Sequence, residues 1–239
     1  HLSIRRQRQM CIRDSAEGGL NLLQERHPEA AGRLDVAQCD VSDAVAVATG
    51  FADWLRNGRA LDALVCSAGI IRVGPLDQMR VEDFDALFSI NTRGAWLCAK
   101  HALPALRATA APGRPTRIVF ISSGAALRPK YGSGAYAASK VALNHLTRVM
   151  AVENAAANVL VNSICPATVD TPMIQSFREG TNSGFRLSGV SPLGRIATAD
   201  DVAGTVSFLL GKEAAYITGI NLPVDGGTTA AYVPPGATS

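Results

Sequence analysis

The sequence predicts an α/β fold in which a doubly wound parallel sheet carries helices on both faces. From about residue 34 onward, short runs rich in β-forming residues alternate with longer stretches of helical periodicity, which is typical of a parallel sheet covered by helices. The 239 residues, of which 47% are apolar and 18% charged, are enough for one large core. We therefore expect a single domain.

Five strands and four helices are expected in order along this region. The strands are predicted at 34–39, 61–66, 117–122, 159–165 and 219–224, and the helices near 43–57, 81–109, 135–156 and 198–210. The last helix opens with Thr198-Ala-Asp-Asp201. This resembles a capping box, in which side chains satisfy the first free backbone N–H groups of a helix.

Residues 1–15 do not fit this alternation. They show neither strand periodicity nor turn residues, and their four arginines and one aspartate account for the whole net charge of +3. We expect residues 1–15 to be a disordered or foreign segment and residues 16–239 to form the domain. A helix predicted at 16–26 begins abruptly, where a doubly wound sheet would already have supplied a strand, a glycine turn, a helix and a second strand. The domain is therefore expected to be incomplete at its N-terminus.

Composition argues against several classes of protein. No run of 18 apolar residues and no secretory signal are found, so we expect no membrane association and a cytoplasmic location. The five scattered cysteines form no CxxC pair and make no zinc-site pattern with histidine, which predicts reduced, mostly buried thiols and no metal site. Because the charge outside residues 1–15 is balanced, no nucleic-acid partner is expected.

One pair of side chains indicates proton chemistry. Tyr136 and Lys140 lie four residues apart in a predicted helix and therefore share one face. An ammonium group there is expected to lower the pKa of Tyr136 from about 10 towards neutrality, which suits proton exchange with a carbonyl or alcohol oxygen. Ser123 precedes Tyr136 by thirteen residues and follows a predicted strand, where open α/β sheets place ligands. Ser122 remains an alternative, with Ser123 then only a turn residue.

Ser123, the segment Tyr136-Ala-Ala-Ser-Lys140 and their spacing resemble the active-site signature of the short-chain dehydrogenase/reductase family. Further matches to that family occur in its order over about residues 30–228. They are Asp40-Val41, Ser67-Ala68-Gly69, Asn91, Pro166-Ala167-Thr-Val169-Asp-Thr171 and Asp225-Gly-Gly227.

Three departures from the family pattern stand out. Ser67 replaces the usual asparagine and Ala167 the usual glycine; both are small residues, and we expect them to be tolerated. The TGxxxGIG loop, which holds the cofactor pyrophosphate in the family, has no counterpart in residues 1–33. Gly18-Gly19 is interpreted as part of a turn or helix start.

The resemblance implies a Rossmann-like fold and hydride transfer between NAD or NADP and a small-molecule carbonyl or secondary alcohol, for example a 3-oxoacyl, keto or sugar-type compound. Tyr136 would be the acid or base, and Lys140 would lower its pKa and bind the nicotinamide ribose. Ser123 would polarise the substrate oxygen, and Asn91 would hold a water of a proton relay. The implied cofactor contacts are Asp40, Val41, Ser67, Ala68, Gly69, Tyr136, Lys140, Pro166, Ala167, Val169 and Thr171.

Simpler roles remain open for several of these residues. Asn91 could stabilise a kink in its helix, Thr171 could cap a following helix, and Asp225-Gly-Gly could be only a turn. Residues 172–194 are predicted to form a mobile lid over the substrate. Two arginines of that lid could bind an anionic group or simply be solvated; they are Arg178 and Arg186.

Two other functions remain open beside the oxidoreductase. The chain could be a non-catalytic nucleotide-binding module or an inactive truncated fragment. A module that only senses nucleotide, however, has no need of the four polar residues Ser123, Tyr136, Lys140 and Asn91 together. The resemblance also suggests a homo-oligomer, a tetramer or dimer, built from helices 81–109 and 135–156. Their alanine-rich faces would allow close helix approach, and such faces also pack against a protein's own sheet; the alanines are Ala135, Ala137, Ala138 and Ala142.

Overall fold

Parallel strands alternate with helices along the chain, as shown by a computed structural model that describes residues 8–11, 28, 34–56, 58–171, 174 and 190–231. The expected helix 16–26, the Gly18-Gly19 pair and nearly all of the expected lid, including Arg178 and Arg186, lie outside these residues.

Four strands form the central parallel sheet in the order β3-β4-β5-β6. They are β3 (Ala63–Cys66), β4 (Thr116–Ile121), β5 (Val159–Pro166) and β6 (Asn221–Val224). In the register, Cys66 is opposite Phe120, Ile121 is opposite Ile164, and Pro166 is opposite Val224. All four strands therefore end at one edge of the sheet, and the predicted α/β fold with a parallel sheet is confirmed.

Two further strands, β1 (Arg8–Cys11) and β2 (Leu34–Ala37), pair in parallel as a separate two-stranded sheet. Arg8 is opposite Leu34 and Cys11 is opposite Ala37. Arg8–Cys11 is therefore a strand although residues 1–15 show no strand periodicity in the sequence, and the assignment of residues 1–15 as a foreign segment stays a prediction. A strand of four residues is too short to display an alternating pattern, and its pairing partner lies far along the chain.

Five α-helices cover the strands within the described residues: α1 (Ala44–Leu55), α2 (Val81–Phe88), α3 (Ala95–Thr109), α4 (Gly134–Ala155) and α5 (Ala199–Leu210). The capping box of α5 is present: Thr198 Oγ1 accepts from the Asp201 backbone N–H, and Asp201 Oδ2 accepts from the Thr198 N–H. The single helix predicted at 81–109 is instead divided, because Ser89–Gly94 forms a π-helical segment between α2 and α3.

The core lies on both faces of the central sheet because side chains alternate along β4 and β5. On one face, Ile118 and Phe120 pack with Val161 against α3 and α4. On the other face, Val119 and Ile164 pack against Leu209 of α5. Every residue of β5 is buried, as expected for a central strand of a doubly wound sheet.

The cysteines of the described part differ in burial. Cys39, Cys66, Cys98 and Cys165 are not in disulfides, but only Cys165 is fully buried, so the expectation of mostly buried thiols is wrong for three of these four. Each of those three lies at a partly open strand end or helix surface. Within the described residues, no group of His, Cys, Asp and Glu is arranged to hold a metal ion, and none of the helices there has the length and apolarity needed to cross a bilayer.

Candidate active site

Helix α4 brings the predicted catalytic tyrosine and lysine to the end of β4. Tyr136 and Lys140 lie one turn apart on the face of α4 that packs on the sheet. The Ser123 side chain lies close enough to the Tyr136 hydroxyl to lower the pKa of the phenol. Ser123 has an extended backbone just beyond β4, and its Oγ accepts from the Ala125 N–H at 3.1 Å. The three side chains therefore meet at the carboxyl edge of the central sheet.

The neighbouring hydroxyl of Ser122 has a different environment. Ser122 is buried, and its Oγ donates to the Lys140 carbonyl oxygen over 3.3 Å. Its backbone N–H donates to the Ile164 carbonyl, which continues the β4–β5 ladder. Ser122 therefore joins helix to sheet, whereas Ser123 is the serine that contacts Tyr136.

Lys140 is almost completely enclosed. Its side chain is only 4% exposed, and Nζ donates to the Ile121 carbonyl oxygen at 2.9 Å. Burial disfavours the ammonium form and lowers the pKa of Lys140 to about 8, while the nearby thiols of Cys165 and Cys66 act in the opposite direction. At physiological pH the lysine is therefore mostly charged but close to its titration point.

The expected lowering of the pKa of Tyr136 by Lys140 is wrong in this structure. Burial is the largest influence and raises the pKa of Tyr136 above its usual value, and the nearby Ser123 side chain offsets only part of that rise. The expectation failed because it considered only the spacing of two residues on a helix. The tyrosine is enclosed by sheet and helix together, and it is held in its neutral, proton-carrying form.

Asn91 lies in the π-helical segment between α2 and α3, with its amide group fully buried. Its Oδ1 accepts from the Ile70 N–H at 2.8 Å, and its Nδ2 donates to the Ile70 carbonyl and to Ser139 Oγ. The side chain thus ties the loop after β3 to α4, beside the active-site pair. This arrangement supports the kink-stabilising role, and the water relay stays a prediction.

The segment Asp40-Val41 lies against the same π-helical segment. Asp40 is exposed, and its Oδ1 accepts from the Ser42 backbone N–H and hydroxyl. A Cβ added to Gly94 would come within 2.9 Å of the Val41 carbonyl oxygen, so only glycine permits this approach. The turn at Asp40 is therefore fixed to the part of the chain that contains Asn91.

The segment after β3 leaves an open approach to the lysine. Ser67 and Ala68 are exposed, and a Cβ added at Gly69 would lie 3.4 Å from Lys140 Nζ and 3.2 Å from Asn91 Oδ1. The backbone at Gly69 therefore passes close to the lysine, with no side chain between them. A cofactor lying across this segment could reach the ammonium group directly.

The segment after β5 continues along the same edge of the sheet. The Ala167 N–H donates to the Val224 carbonyl, and Val169 pairs with Ala197 in an isolated bridge. Thr171 Oγ1 donates to the Val169 carbonyl over 3.3 Å, and the helix that Thr171 was suggested to cap lies largely outside the described residues. Pro166, Ala167, Val169 and Thr171 therefore lie at the edge that Ser123 and Tyr136 share.

The Asp225-Gly-Gly227 motif forms a turn after β6. The Asp225 carboxylate accepts from the backbone N–H groups of Gly227 and Thr229. Gly226 and Gly227 both have positive φ angles, a conformation that favours glycine. The motif is thus a structural turn in this chain, which agrees with the simpler of its two interpretations.

Sequence reasoning missed three polar residues that support this site. Ser139 bonds to Asn91 from within the Tyr136–Lys140 segment, and Asn144 and Cys165 are buried behind Ser123. The one sequence signal for Asn144 is its spacing: it continues the Tyr136 and Lys140 face by a further helical turn. Nothing in the sequence alone links Cys165 to this group, because the contact is made across the sheet.

Comparison with known proteins agrees with this geometry. Residues 9–229 match the protein-family model described as enoyl-(acyl carrier protein) reductase. A short-chain dehydrogenase/reductase from Armillaria gallica is 38% identical over 205 residues, covering 83% of this chain and 77% of the relative. Meso-2,3-butanediol dehydrogenase from Serratia marcescens is 32% identical over 229 residues, covering 91% and 88%.

Among solved structures, 3-ketoacyl-(acyl-carrier-protein) reductase from Brucella melitensis, complexed with NADH, superposes with a TM-score of 0.74 at 27% identity. The match covers 86% of this chain and 83% of that one. The range matched by the family model contains the central sheet, the tyrosine–lysine helix and the serine described above. The chain therefore belongs to the short-chain dehydrogenase/reductase family, whose members are oxidoreductases.

Proposed function

We propose that this chain transfers a hydride between NAD or NADP and a ketone or secondary alcohol, with Tyr136 as the proton donor or acceptor. The observation that carries the proposal is the grouping of the Tyr136 and Ser123 hydroxyls beside the buried Lys140 at the carboxyl edge of the sheet. A substrate oxygen placed against these two hydroxyls can accept a proton from one and a hydrogen bond from the other.

The electrostatics of the site suit carbonyl reduction. Burial raises the pKa of Tyr136, so the phenol keeps its proton at neutral pH. It can donate that proton to the substrate oxygen as this oxygen becomes more basic during carbonyl reduction. Ser123 can hold that oxygen in place while its own hydroxyl remains oriented by the Ala125 N–H. In the reverse direction, the same phenol must first lose its proton, which its burial disfavours.

The residues present fit a nicotinamide cofactor. A lysine ammonium has three N–H donors. Among the described residues, Ile121 is the only hydrogen-bond acceptor for Lys140 Nζ. The remaining donors are available to ribose hydroxyls of a cofactor lying over the backbone at Gly69. The bound cofactor would supply or accept the hydride. The other residues proposed to hold it are Asp40, Val41, Ser67, Ala68, Gly69, Pro166, Ala167, Val169 and Thr171.

The relatives suggest the class of substrate. The Serratia relative is named for a vicinal diol and the Brucella structure for a 3-ketoacyl thioester. Both names describe a carbon that alternates between secondary alcohol and ketone. We therefore propose small ketones of this kind, and acetoin and a 3-oxoacyl thioester are the first probes.

We also propose that the chain forms a homo-oligomer through α3 and α4. Ala135 and Ala137 are buried within the chain itself, so they cannot form the contact. The exposed apolar residues of these helices are candidates instead: Trp96, Val141, Val149 and Val152. Sedimentation equilibrium measures the subunit number, and a monomer at micromolar concentration would contradict this part. The cytoplasmic location expected from the sequence stays a prediction.

The experiment has two stages, carried out on the full 239-residue chain. Fluorescence titration with NADH and with NADPH measures cofactor binding, and absorbance at the nicotinamide band then follows turnover with the two probes. Tyr136→Phe is the matched variant, because it keeps the ring and removes the hydroxyl. The proposal expects saturable binding in both proteins and turnover only in the unchanged one.

Other outcomes favour the alternatives. Cofactor binding without turnover on any ketone would indicate a nucleotide-binding module. A folded chain that binds neither cofactor would indicate an inactive fragment. Equal turnover in the Tyr136→Phe variant would contradict the role assigned to the tyrosine.

A further inference from the structure

Cys165 is a fully buried thiol directly behind the substrate-facing serine. It lies near the end of β5, on the face that packs against α4, and has no exposed surface. Asn144 Nδ2 lies 3.5 Å from its sulfur, and the sulfur lies 3.7 Å from Asn144 Oδ1. The backbone N–H of Ser123 and the side chain of Ser122 lie beside the thiol and lower its pKa, in part against the rise caused by burial. A small thiol therefore joins three polar groups from β4 and α4.

Asn144 is held in place from the opposite side. It lies one helical turn after Lys140 and two turns after Tyr136, so it shares their face of α4. Ser163 Oγ lies 3.2 Å from Asn144 Oδ1 and 2.6 Å from Asn221 Oδ1. A chain of polar contacts thus runs from β6 through β5 and α4 to the Ser123 backbone, and almost all of it is buried.

We propose that Cys165, held by Asn144, is a positioning residue that fixes the backbone of Ser123 and so sets its hydroxyl against Tyr136. This inference rests on the proposed function, because the alignment matters only if the two hydroxyls share a substrate oxygen. The role differs from that of Ser122, which bonds to the Lys140 carbonyl and secures the helix. Cys165 contacts neither substrate nor cofactor and acts only through Ser123.

The chemistry of a thiol suits this position. A sulfur atom is large enough to reach Asn144 across the helix–sheet gap while it remains beside the Ser123 N–H, and it is a weak donor as well as a weak acceptor. Burial raises the pKa of the Cys165 thiol, so it remains uncharged at neutral pH. An uncharged group can orient Ser123 without placing a negative charge beside Tyr136.

Kinetics of three single variants test the role. Cys165→Val removes both hydrogen-bonding functions and is one methyl group larger than cysteine, and Cys165→Ser keeps the hydrogen-bonding functions on a shorter side chain. Ile164→Val is the matched control, since Ile164 is equally buried but faces α5. We expect kcat to fall about five- to tenfold in Cys165→Val, as for the loss of about one hydrogen bond. Cys165→Ser should recover most of kcat, Ile164→Val should keep it, and the Kd for the cofactor should change in none of them.

A double-mutant cycle separates positioning from general packing. If Cys165 acts through Ser123, Cys165→Val should cost less than about twofold in kcat when Ser123 is already alanine. An equal loss in both backgrounds would overturn the proposal. So would an unchanged kcat in Cys165→Val, or a cofactor Kd that weakens in parallel with kcat.

A measurement independent of turnover distinguishes this proposal from the proposed function. Amide hydrogen exchange at Ser123, followed by NMR of the ¹⁵N-labelled chain, should be about tenfold faster in Cys165→Val and unchanged in Ile164→Val. Unchanged exchange in Cys165→Val would overturn the positioning role whether or not the protein turns over. Faster exchange in a protein that reduces no ketone would contradict only the proposed function.

Discussion

Replacing Lys140 with methionine is expected to stabilise the fold at neutral pH even though it removes a site residue. Burial lowers the pKa of Lys140 from 10.5 to about 8, and each pKa unit corresponds to about 1.4 kcal/mol. Holding the ammonium inside the folded protein at pH 7 therefore costs about 3 kcal/mol. Methionine removes this cost, but it also loses the hydrogen bond to Ile121, which is worth about 1 kcal/mol. The net gain in the free energy of unfolding is about 2 kcal/mol at pH 7.

The gain should disappear in alkali. Above about pH 8 the folded protein releases the Lys140 proton while the unfolded chain keeps it up to about pH 10.5, so over this interval the unfolded state binds more protons. The stability of the unchanged protein must therefore rise with pH relative to that of the variant. Below about pH 8 both states are protonated and the full cost is present.

Urea-induced unfolding at pH 7 and at pH 10 measures the difference between the two proteins. Lys212→Met, at an exposed position, controls for removal of a lysine charge. We expect Lys140→Met to unfold at higher urea than the unchanged protein at pH 7 and to lose that advantage at pH 10. A variant that is destabilised at pH 7, or a difference that is the same at both pH values, would refute the reasoning.

Three further predictions concern single side chains. Tyr136→Phe should lower kcat by at least about a hundredfold because the proton donor is lost. The cofactor Kd measured by fluorescence should not change. A variant that keeps a tenth of the activity would contradict the role of Tyr136 as proton donor. Asn91→Ala removes three hydrogen bonds of a buried amide and should cost about 3 kcal/mol in urea unfolding. A cost below about 1 kcal/mol would show that the π-helical segment does not depend on the amide. Thr198→Ala removes one half of the α5 capping box and should lower the free energy of unfolding by about 1 kcal/mol. We expect kcat to be unchanged, and a loss of activity in this variant would contradict a purely structural role for the cap.

The parts of the fold that the sequence predicted share a local cause. β4 and β5 are recognisable because a central parallel strand is apolar on both faces, as in Ile118-Val-Phe-Ile121. The start of α5 is recognisable because Thr198 and Asp201 satisfy backbone groups within one helical turn. In both cases the determining contacts involve residues close together in the sequence, or burial of every residue in a run.

The parts that were missed depend on packing between distant segments. Nothing in Ser89–Gly94 predicts a π-helix, because the Asn91 amide that supports it bonds to Ile70 and Ser139. The direction of the pKa change at Tyr136 was also missed, since burial by sheet and helix outweighs the neighbouring lysine. The strand Arg8–Cys11 is defined by its pairing with β2 rather than by its own pattern.

The candidate site divides in the same way. Spacing alone placed Tyr136 and Lys140 on one helix face and Ser123 at the end of β4, and the structure brings all three together. Spacing could not reveal that Cys165 lies behind Ser123, because that contact crosses from β5 to β4 and α4. Supporting residues of this kind can be recognised only from the three-dimensional structure, because their contacts join segments that are distant in the sequence.

Transfer of a labelled hydride tests the central claim most directly. The chain is incubated with acetoin or a 3-oxoacyl thioester and NADH or NADPH deuterated at C4 of the nicotinamide, and mass spectrometry locates the label in the product. Hydride transfer at this site predicts deuterium on the new carbinol carbon with the unchanged protein, and labelled product formed at least about a hundredfold more slowly with Tyr136→Phe. Product without deuterium at that carbon, or no product from a chain that binds the cofactor, would contradict the account.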